Sequence, residues 1–309
     1  MIQKANSNIK SHSLAILACL LWSSAFVSTK YALEHQAPLT LAGLRFLLAG
    51  ALQIPLCGSF LAPFRLIRTH FSTVFKISFF HTIYLYGTFF FAMQWVRGAD
   101  AAILIGFGPL ASALMAHLLM PNDKLQKRTL ISIAFGMAGV IFISVSSKPW
   151  TPIGLKEFAG LMLLLSGTFV SSYGNITVAK LKSGLNPIVL NSAQMLLGGL
   201  VLLLLSLPFN GLPQLHQPPK FYILLLWLSI ISAGGFAIWF HLLGHMKVSK
   251  LSLWTFLIPL SGATLSWLFI PTESPTLPAV AGMLFILAGL AIGTLQKTKP
   301  ALPSNPKQI

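Results

Sequence analysis

The sequence predicts an all-α integral membrane protein whose ten transmembrane helices form two inverted five-helix repeats. Three observations lead to this fold class: an apolar composition, a succession of apolar segments, and an internal repeat. Hydrophobic residues make up 55% of the 309 residues and charged residues only 8%, whereas charged residues account for about 25% of a soluble domain. A surface with so few charges must face lipid.

Apolar segments follow one another along the whole chain, and each is long enough to cross a bilayer, which takes about 20 helical residues. Unpaired backbone groups are costly in lipid, so each segment is expected to be a helix. The first resembles a signal peptide, but its length, its lack of a small-residue cleavage site and the spans that follow predict that it is retained. The predicted spans are 14–33, 38–57, 74–95, 99–119, 128–146, 158–179, 186–207, 221–242, 249–270 and 278–296.

Residues 107–142 and 257–292 correspond at a constant offset of 150. The matched pairs are Pro109 and Pro259, Leu110 and Leu260, Ala113 and Ala263, Leu118 and Leu268, Pro121 and Pro271, Asp123 and Glu273, and Ala138-Gly139 and Ala288-Gly289. Two weaker likenesses join 23–28 to 166–171 and 41–50 to 190–199. Apolar helices often look alike, but prolines, an acid and a glycine in register predict a duplication. Because each half has five spans, an odd number, the halves are expected to be inverted copies, as in many carriers.

Basic residues predict the orientation, because cytoplasmic loops carry an excess of Lys and Arg. With the N-terminus in the cytoplasm, fifteen basic residues lie inside and five outside, so both termini are expected to be cytoplasmic and the membrane to be the cell (inner) membrane. The net charge of +16 lies in short clusters between spans, which favours contact with anionic lipid head groups over nucleic acid. The predicted organisation is a cytoplasmic segment 1–13, a first repeat 14–146, an external linker 147–157, a second repeat 158–296 and a basic cytoplasmic tail 297–309.

Several motifs resemble the EamA family of the drug/metabolite transporter superfamily. They are LLWSSAFVSTKYAL in the first span, LAGLRF in the second, and GPLASAL followed by an acid and AGV around the fourth. The resemblance implies ten helices, a central cavity and movement of small organic solutes, without indicating which solute. The family usually has Gly-Glu where the fourth span ends, whereas this chain has Asn122-Asp123 and Thr272-Glu273, and the first span of the second repeat lacks the Trp.

Arg45 is the clearest charge at membrane depth. It lies about seven residues, or about 10 Å, into its span, where a charge costs about 2.5–3.5 kcal/mol on insertion scales. Two interpretations stay open. Arg45 either faces the cavity and binds a carboxylate or phosphate of the substrate, or it has a structural role, in which it snorkels outward or binds helix-end carbonyls and Glu34 to lock the repeat.

Other polar and aromatic residues within spans are candidates for the substrate site, because a cavity for an organic solute needs apolar walls and a few aimed polar groups. An amide that faced lipid would be unsatisfied, which favours inward-facing amides; hydrogen bonding between helices is the alternative. The candidate substrate-binding residues are Trp22, Arg45, Tyr84, Asn175, Asn191, Gln194 and Trp239. Pro109 and Pro259, at matched positions in the fourth and ninth spans, are predicted hinges or simple kinks.

Metal, cofactor and catalytic chemistry are not predicted. The five acids fall at span ends or in loops, so no carboxylate is available mid-membrane to couple a proton or sodium ion; coupling through His81, His117 or His241 stays open. His241 and His245 are four residues apart, but two ligands do not make a zinc site. Cys19 and Cys57 lack spacing partners.

The predicted function is secondary-active transport of a small organic metabolite, an amino acid or a related solute, across the cytoplasmic membrane by alternating access. Drug or cation efflux by the same fold is the alternative. An integral-membrane enzyme acting on lipid-linked substrates would need paired acids or a nucleophile–base set that the sequence does not offer, and an inverted repeat argues against a fixed pore. No GKS or GKT motif is present, so direct ATP drive is not expected.

Overall fold

The computed structural model describes residues 2–92, 95–96, 104–145, 154–181, 184–214, 216–269 and 275–294. All secondary structure within these ranges is helical. The predicted tail 297–309, most of the linker 147–157, the facing ends of the third and fourth spans, and Thr272 and Glu273 lie outside the described residues.

The described residues form thirteen α-helices, two 3-10 helices and one π-helical turn. The π-helical turn is Phe79–Ile83, and the 3-10 helices are Ile54–Cys57 and Ser252–Phe256. The α-helices are α1 (Ile2–Ala32), α2 (Pro38–Gln53), α3 (Ala62–Thr69), α4 (Phe71–Ser78), α5 (Tyr84–Ala92), α6 (Gly108–Leu119), α7 (Lys127–Val145), α8 (Leu155–Leu181), α9 (Pro187–Asn210), α10 (Pro219–Leu243), α11 (Val248–Leu251), α12 (Leu257–Phe269) and α13 (Leu277–Thr294).

Eight helices in the described part of the chain are long and apolar enough to cross a membrane. They run over Lys10–Thr29, Pro38–Cys57, Lys127–Ser144, Leu155–Leu181, Pro187–Asn210, Pro219–Leu243, Val248–Leu265 and Leu277–Thr294. Eight of the ten predicted spans therefore have a counterpart. The third is divided into α4, the π-helical turn and α5, and the fourth is a shorter apolar helix, Leu104–Leu119.

Local sequence explains where the long helices begin. Pro38, Pro187 and Pro219 each open a helix, where a missing backbone N–H has no partner to lose. Asn186 caps α9, since its side-chain oxygen accepts a hydrogen bond from the N–H of Ile188 at 2.9 Å. Gly211, with a φ of +68°, follows the end of α9.

Two helix pairs pack with their backbones in close approach, and glycine makes this possible in both. In the pair α2 and α9, a Cβ on Gly50 or Gly199 would overlap the backbone of the facing helix. In the pair α7 and α13, a Cβ on Gly139 would lie 2.4 Å from the carbonyl oxygen of Gly282. Small residues at membrane helix interfaces allow this kind of packing. Among the other helices, α1 packs on α10 and α12, and α8 packs on α5 and α6.

Candidate functional site

A group of aromatic side chains meets in the interior between α1, α10 and the π-helical turn. The ring of Trp22 lies 5.2 Å from Phe236 and 5.2 Å from Trp239, and the ring of His81 lies 5.9 Å from Phe236 and 5.2 Å from Phe240, measured between centroids. We call these five residues, Trp22, His81, Phe236, Trp239 and Phe240, the aromatic chamber. Their tilted and edge-on arrangement is the one that aromatic pairs favour.

Two nitrogen atoms of the aromatic chamber are buried without a hydrogen-bond partner among the described residues: Nε1 of Trp22 and Nε2 of His81. A buried polar group that lacks a partner costs about 1–3 kcal/mol. The third polar group is satisfied, because Nε1 of Trp239 donates to Oδ1 of Asn175 on α8 at 3.1 Å. The chamber therefore combines aromatic faces with two nitrogen atoms that have no hydrogen-bond partner among the described residues, and small-molecule sites are likewise mostly apolar with a few polar groups.

Glycines bring both of these rings close to a backbone. A Cβ on Gly235 would lie 2.6 Å from Nε1 of Trp22, and a Cβ on Gly174 would lie 2.8 Å from Nε2 of His81. The positions of Trp22 and His81 therefore depend on glycine in α10 and α8.

The π-helical turn aims His81 into the chamber. In this turn the N–H of Tyr84 donates to the carbonyl of Phe79, five residues earlier, and single π turns of this kind occur frequently at functional sites. His81 is 3% exposed. His81 lies within the third predicted span but is not among the residues predicted for the site, because no feature of this apolar span marks a π turn.

Asn191 and Gln194 lie apart from the chamber, in a fully buried amide network. Nε2 of Gln194 donates to Oδ1 of Asn191 at 3.0 Å, and Nδ2 of Asn191 donates to Oε1 of Gln53 at 3.0 Å. The hydroxyl of Thr82 donates to Oε1 of Gln194 at 2.8 Å. The network ties α9 to α2 and to the π-helical turn, and both Asn191 and Gln194 are 0% exposed.

We expect Gln194→Leu to destabilise the protein by about 1–3 kcal/mol, because it leaves polar groups of Asn191 and Thr82 buried without partners. Thr264→Val is the control, since the exposed Thr264 hydroxyl bonds only the carbonyl of Leu260 in its own helix. Thermal unfolding in detergent measures both. An unchanged melting temperature in Gln194→Leu, with transport lost, would instead make Gln194 a substrate ligand.

Arg45 is buried and bonded to α10. Its Nε donates to the hydroxyl of Ser232 at 2.6 Å, and its backbone carbonyl accepts a hydrogen bond from Ser229 at 3.1 Å. The guanidinium carbon lies 5.4 Å from the ring centre of Phe46 and 5.8 Å from that of Tyr86. The side chain therefore faces hydroxyl and aromatic groups of the interior, which neutralise none of its charge but supply cation–π contacts.

The remaining predicted residues, Tyr84, Pro109 and Pro259, lie within spans, each at or near the first residue of a helix. The hydroxyl of Tyr84 lies 3.0 Å from that of Ser166, joining α5 to α8. Pro109 is the second residue of α6 and Pro259 the third of α12, so both prolines stand in the first turn of a helix. A 3-10 helix precedes Pro259, and a mid-span 3-10 stretch often marks a hinge.

Asp123, matched to Glu273 by the repeat, acts as a cap between distant parts of the chain. Its carboxylate accepts hydrogen bonds from the backbone N–H of Ser249, at 3.0 Å, and from the Ser249 hydroxyl. Asp123 is only 2% exposed, and it holds the loop after α6 against the first turn of α11. A carboxylate at this position also complements the positive end of the helix dipole.

No group of three or more His, Cys, Asp or Glu side chains that could hold a metal ion occurs in the described ranges. The rings of His241 and His245 lie near the end of α10 with their centroids 4.4 Å apart and their planes tilted by 34°. Cys19 and Cys57 are both free and buried.

Comparisons with known proteins agree with this architecture. A probable amino-acid metabolite efflux pump of Salmonella typhimurium is 29% identical, over 92% of this chain and 94% of its own length. The uncharacterized transporter YvbV of Bacillus subtilis is 25% identical over 94% and 95%. An S-adenosylmethionine/S-adenosylhomocysteine transporter of Chlamydia trachomatis is 25% identical over 91% and 86%.

A solved crystal structure shares the fold, with a TM-score of 0.80 and 17% identity over 92% of this chain and 96% of the other. The model of the EamA-like transporter family matches residues 9–145 and again residues 158–295. The apolar helices and this double match together identify the chain as a multi-pass membrane protein that belongs to the EamA-like transporter family.

Proposed function

We propose that this protein is a secondary-active transporter that moves a small organic metabolite, an amino acid or a related solute, across the cell (inner) membrane. The aromatic chamber is its binding site, and the protein has no enzymatic role. The observation that carries the proposal is the pair of buried, unpartnered nitrogens, Nε1 of Trp22 and Nε2 of His81, between aromatic rings in the interior. Both termini are cytoplasmic in this proposal, as the distribution of Lys and Arg predicts.

A two-fold relation between the halves supports ten spans in two inverted repeats. Gly139 on α7 contacts Gly282 on α13. The repeat matches Gly139 with Gly289, 150 residues later, and Gly282 with Ser132, 150 residues earlier. These two matched residues are also in contact, because a Cβ on Gly289 would lie 2.7 Å from the carbonyl oxygen of Ser132. A contact that reappears when the halves exchange places is expected for isologous packing about a two-fold axis.

The pair α2 and α9 shows the same exchange at an offset of 149. A Cβ on Gly50 would meet the backbone N of Leu196, and a Cβ on Gly199 would meet the backbone N of Leu47. The packing of whole helices is exchanged between the halves in the same way. In one set α1 packs on α10 and α12, and in the matching set α8 packs on α5 and α6. Inverted repeats with a site at their interface are typical of alternating-access carriers.

In this proposal the two halves move relative to each other at prolines and at a 3-10 helix, where the helices are interrupted. The prolines Pro109 and Pro259 occupy matched positions, each at the beginning of a helix, and the 3-10 helix Ser252–Phe256 precedes the second of them. The hydroxyl of Ser23 on α1 bonds the carbonyl of Ile258 at 3.3 Å and Ser261 at 2.9 Å. Motion at Pro259 is thereby transmitted to α1, which carries Trp22.

The chamber favours a solute with an apolar or aromatic part and a hydrogen-bonding group. The rings bury the apolar part, and the indole N–H of Trp22 donates to an oxygen of the solute, such as a carboxylate or carbonyl oxygen. Asn175 and Trp239 complete the wall, whereas Arg45, Tyr84, Asn191 and Gln194 fix the helices that carry it. The named activities of the Salmonella and Chlamydia relatives, an amino-acid metabolite and two amino-acid derivatives, agree with a solute of this kind.

Efflux of organic cations is the second candidate. The faces of Trp22 and Trp239 attract cations, and this observation favours it. No Asp or Glu belongs to the chamber, so a cation there would depend on the rings alone.

A thermal-shift screen of the purified protein against amino acids, nucleosides, nucleotides and organic cations tests the proposal. A solute that binds the native state raises the melting temperature. At a concentration one hundred times its Kd, it raises the free energy of unfolding by about 2.7 kcal/mol. We expect one class to do so, its labelled form to enter proteoliposomes, and both effects to weaken in Trp22→Phe and His81→Phe. Stabilisation and uptake that both variants retain in full would place the site elsewhere.

A further inference from the structure

The connection between the second and third spans forms a small platform at one face of the protein. We call residues 54–76, from the 3-10 helix after α2 into α4, the α3 platform. Its helix α3 is anchored by Pro63 and Leu66, both buried, while Arg65 and Arg68 are exposed. The platform packs against α9, which also carries the amide network.

Several large apolar side chains of the α3 platform point outwards. Phe60 is 69% exposed, Leu56 67% and Leu61 58%. Beside them lies a shallow, open groove of about 380 Å³. The groove is lined by Ala51, Ile54, Pro55, Gly58, Ser59 and Phe60.

The exposed charges of the α3 platform all have one sign. Arg65, Arg68 and Lys76 are exposed, and residues 54–76 contain no Asp or Glu. The corresponding residues of the second half at an offset of 149, 203–225, contain a single basic residue, Lys220, and no Asp or Glu. The connection of the first half is therefore more basic than its counterpart, and it lies in the cytoplasm in the orientation proposed above.

We propose that the α3 platform is a binding site for an anionic phospholipid of the cytoplasmic leaflet. An acyl chain occupies the groove beside Phe60, and the phosphate of the head group lies against Arg65 and Arg68. Exposed apolar side chains next to unpaired cations are the combination by which interfacial helices bind anionic membranes. The groove supplies the apolar half of this recognition and the guanidinium groups the polar half.

The consequence for the fold is that the lipid stabilises the contact between α3 and α9. Binding to the native state raises stability by mass action. Because α3 and α4 lead directly into the π-helical turn, the lipid also steadies the segment that carries His81.

The test is a thermal-shift titration of the purified protein with dioleoylphosphatidylglycerol in detergent, with dioleoylphosphatidylcholine as the neutral lipid. We expect phosphatidylglycerol to stabilise the wild type and phosphatidylcholine to do so much less. The double variant Arg65→Ala/Arg68→Ala should bind phosphatidylglycerol at least about tenfold more weakly, since each basic residue contributes about 1 kcal/mol at an anionic surface. Lys127→Ala/Lys180→Ala removes the same charge from two other exposed positions and should bind normally.

Phe60→Ser tests the groove, and the chain offers a matched control in Phe209→Ser. Phe209 occupies the equivalent position in the second half and is also 69% exposed. We expect only Phe60→Ser to weaken phosphatidylglycerol binding. Equal losses in the two charge variants, or equal stabilisation by inorganic phosphate alone, would overturn the proposal. Because the readout is lipid binding, its failure leaves the transport proposal standing, and a failed substrate screen leaves the lipid site standing.

Discussion

Alanine at Gly235 is expected to reduce transport at least tenfold, whereas alanine at the neighbouring Gly234 is expected to leave transport unchanged. A Cβ on Gly235 would lie 2.6 Å from Nε1 of Trp22, closer than real atoms approach, so the indole must move within the chamber. A Cβ on Gly234 would meet only Cδ1 of Leu21, at 3.7 Å, which is an ordinary contact. Displacing an aromatic wall that contributes about 1.5–3 kcal/mol of burial weakens binding about 10- to 100-fold.

Uptake into proteoliposomes and the shift of melting temperature by the identified solute measure the effect of the two variants. Both substitutions replace glycine in the same helix by a better helix former, so their influence on the backbone of α10 is matched. If Gly235→Ala transports as well as Gly234→Ala while both remain folded, Trp22 does not line the binding site.

Alanine at Gly139 is expected to destabilise the whole protein by about 1–3 kcal/mol or more, the range for overpacking a closely packed interface. Its Cβ would lie 2.4 Å from the carbonyl oxygen of Gly282, and a backbone atom cannot rotate away as a flexible side chain can. Gly282→Ala should have a similar effect, because its Cβ would lie 2.5 Å from the carbonyl oxygen of Gly139.

Gly87→Ala is the control for this pair, since nothing lies within 4 Å of a Cβ at Gly87 in α5. Thermal unfolding and the yield of monodisperse protein are the measurements. A melting temperature for Gly139→Ala equal to that of Gly87→Ala would show that α7 and α13 are not in close contact in the folded protein.

The spans and the repeat were predictable because both depend on residue types along extended stretches of sequence. Long apolar segments indicate the spans, and residues matched at a constant offset indicate the repeat. The double family match to residues 9–145 and 158–295 follows the same duplication that Pro109 and Pro259 indicate. Trp22 and Trp239 were identified as candidates because an aromatic ring with one polar atom suits a cavity wall, and the structure brings these two rings to 5.2 Å. Whether they bind the solute stays a prediction.

The partners of the polar residues were not predictable, because a sequence indicates that an amide needs a partner but not which one. Gln194 bonds Asn191 three residues away, yet it also bonds Thr82, which is distant in the chain. His81 was left out of the site for a similar reason. The direction in which the His81 side chain points depends on the π-helical turn Phe79–Ile83. This turn rotates the residues that follow it around the helix axis, and the apolar sequence of the third span does not reveal it.

The hydrogen bonds between the Asp123 carboxylate and Ser249 have an energetic consequence for the proposed rocking of the two halves. Each hydrogen bond to a charged group contributes about 1.5–3 kcal/mol, and the cap joins the first half to the second on the cytoplasmic side of the proposed topology. In the proposed mechanism, parting the halves there breaks these hydrogen bonds, so we expect the protein without solute to favour the form in which that side is closed. The solute must bind the opened form more tightly to shift the population. We therefore expect Asp123 to limit opening in the absence of solute, and we expect removal of its carboxylate to make the carrier leak.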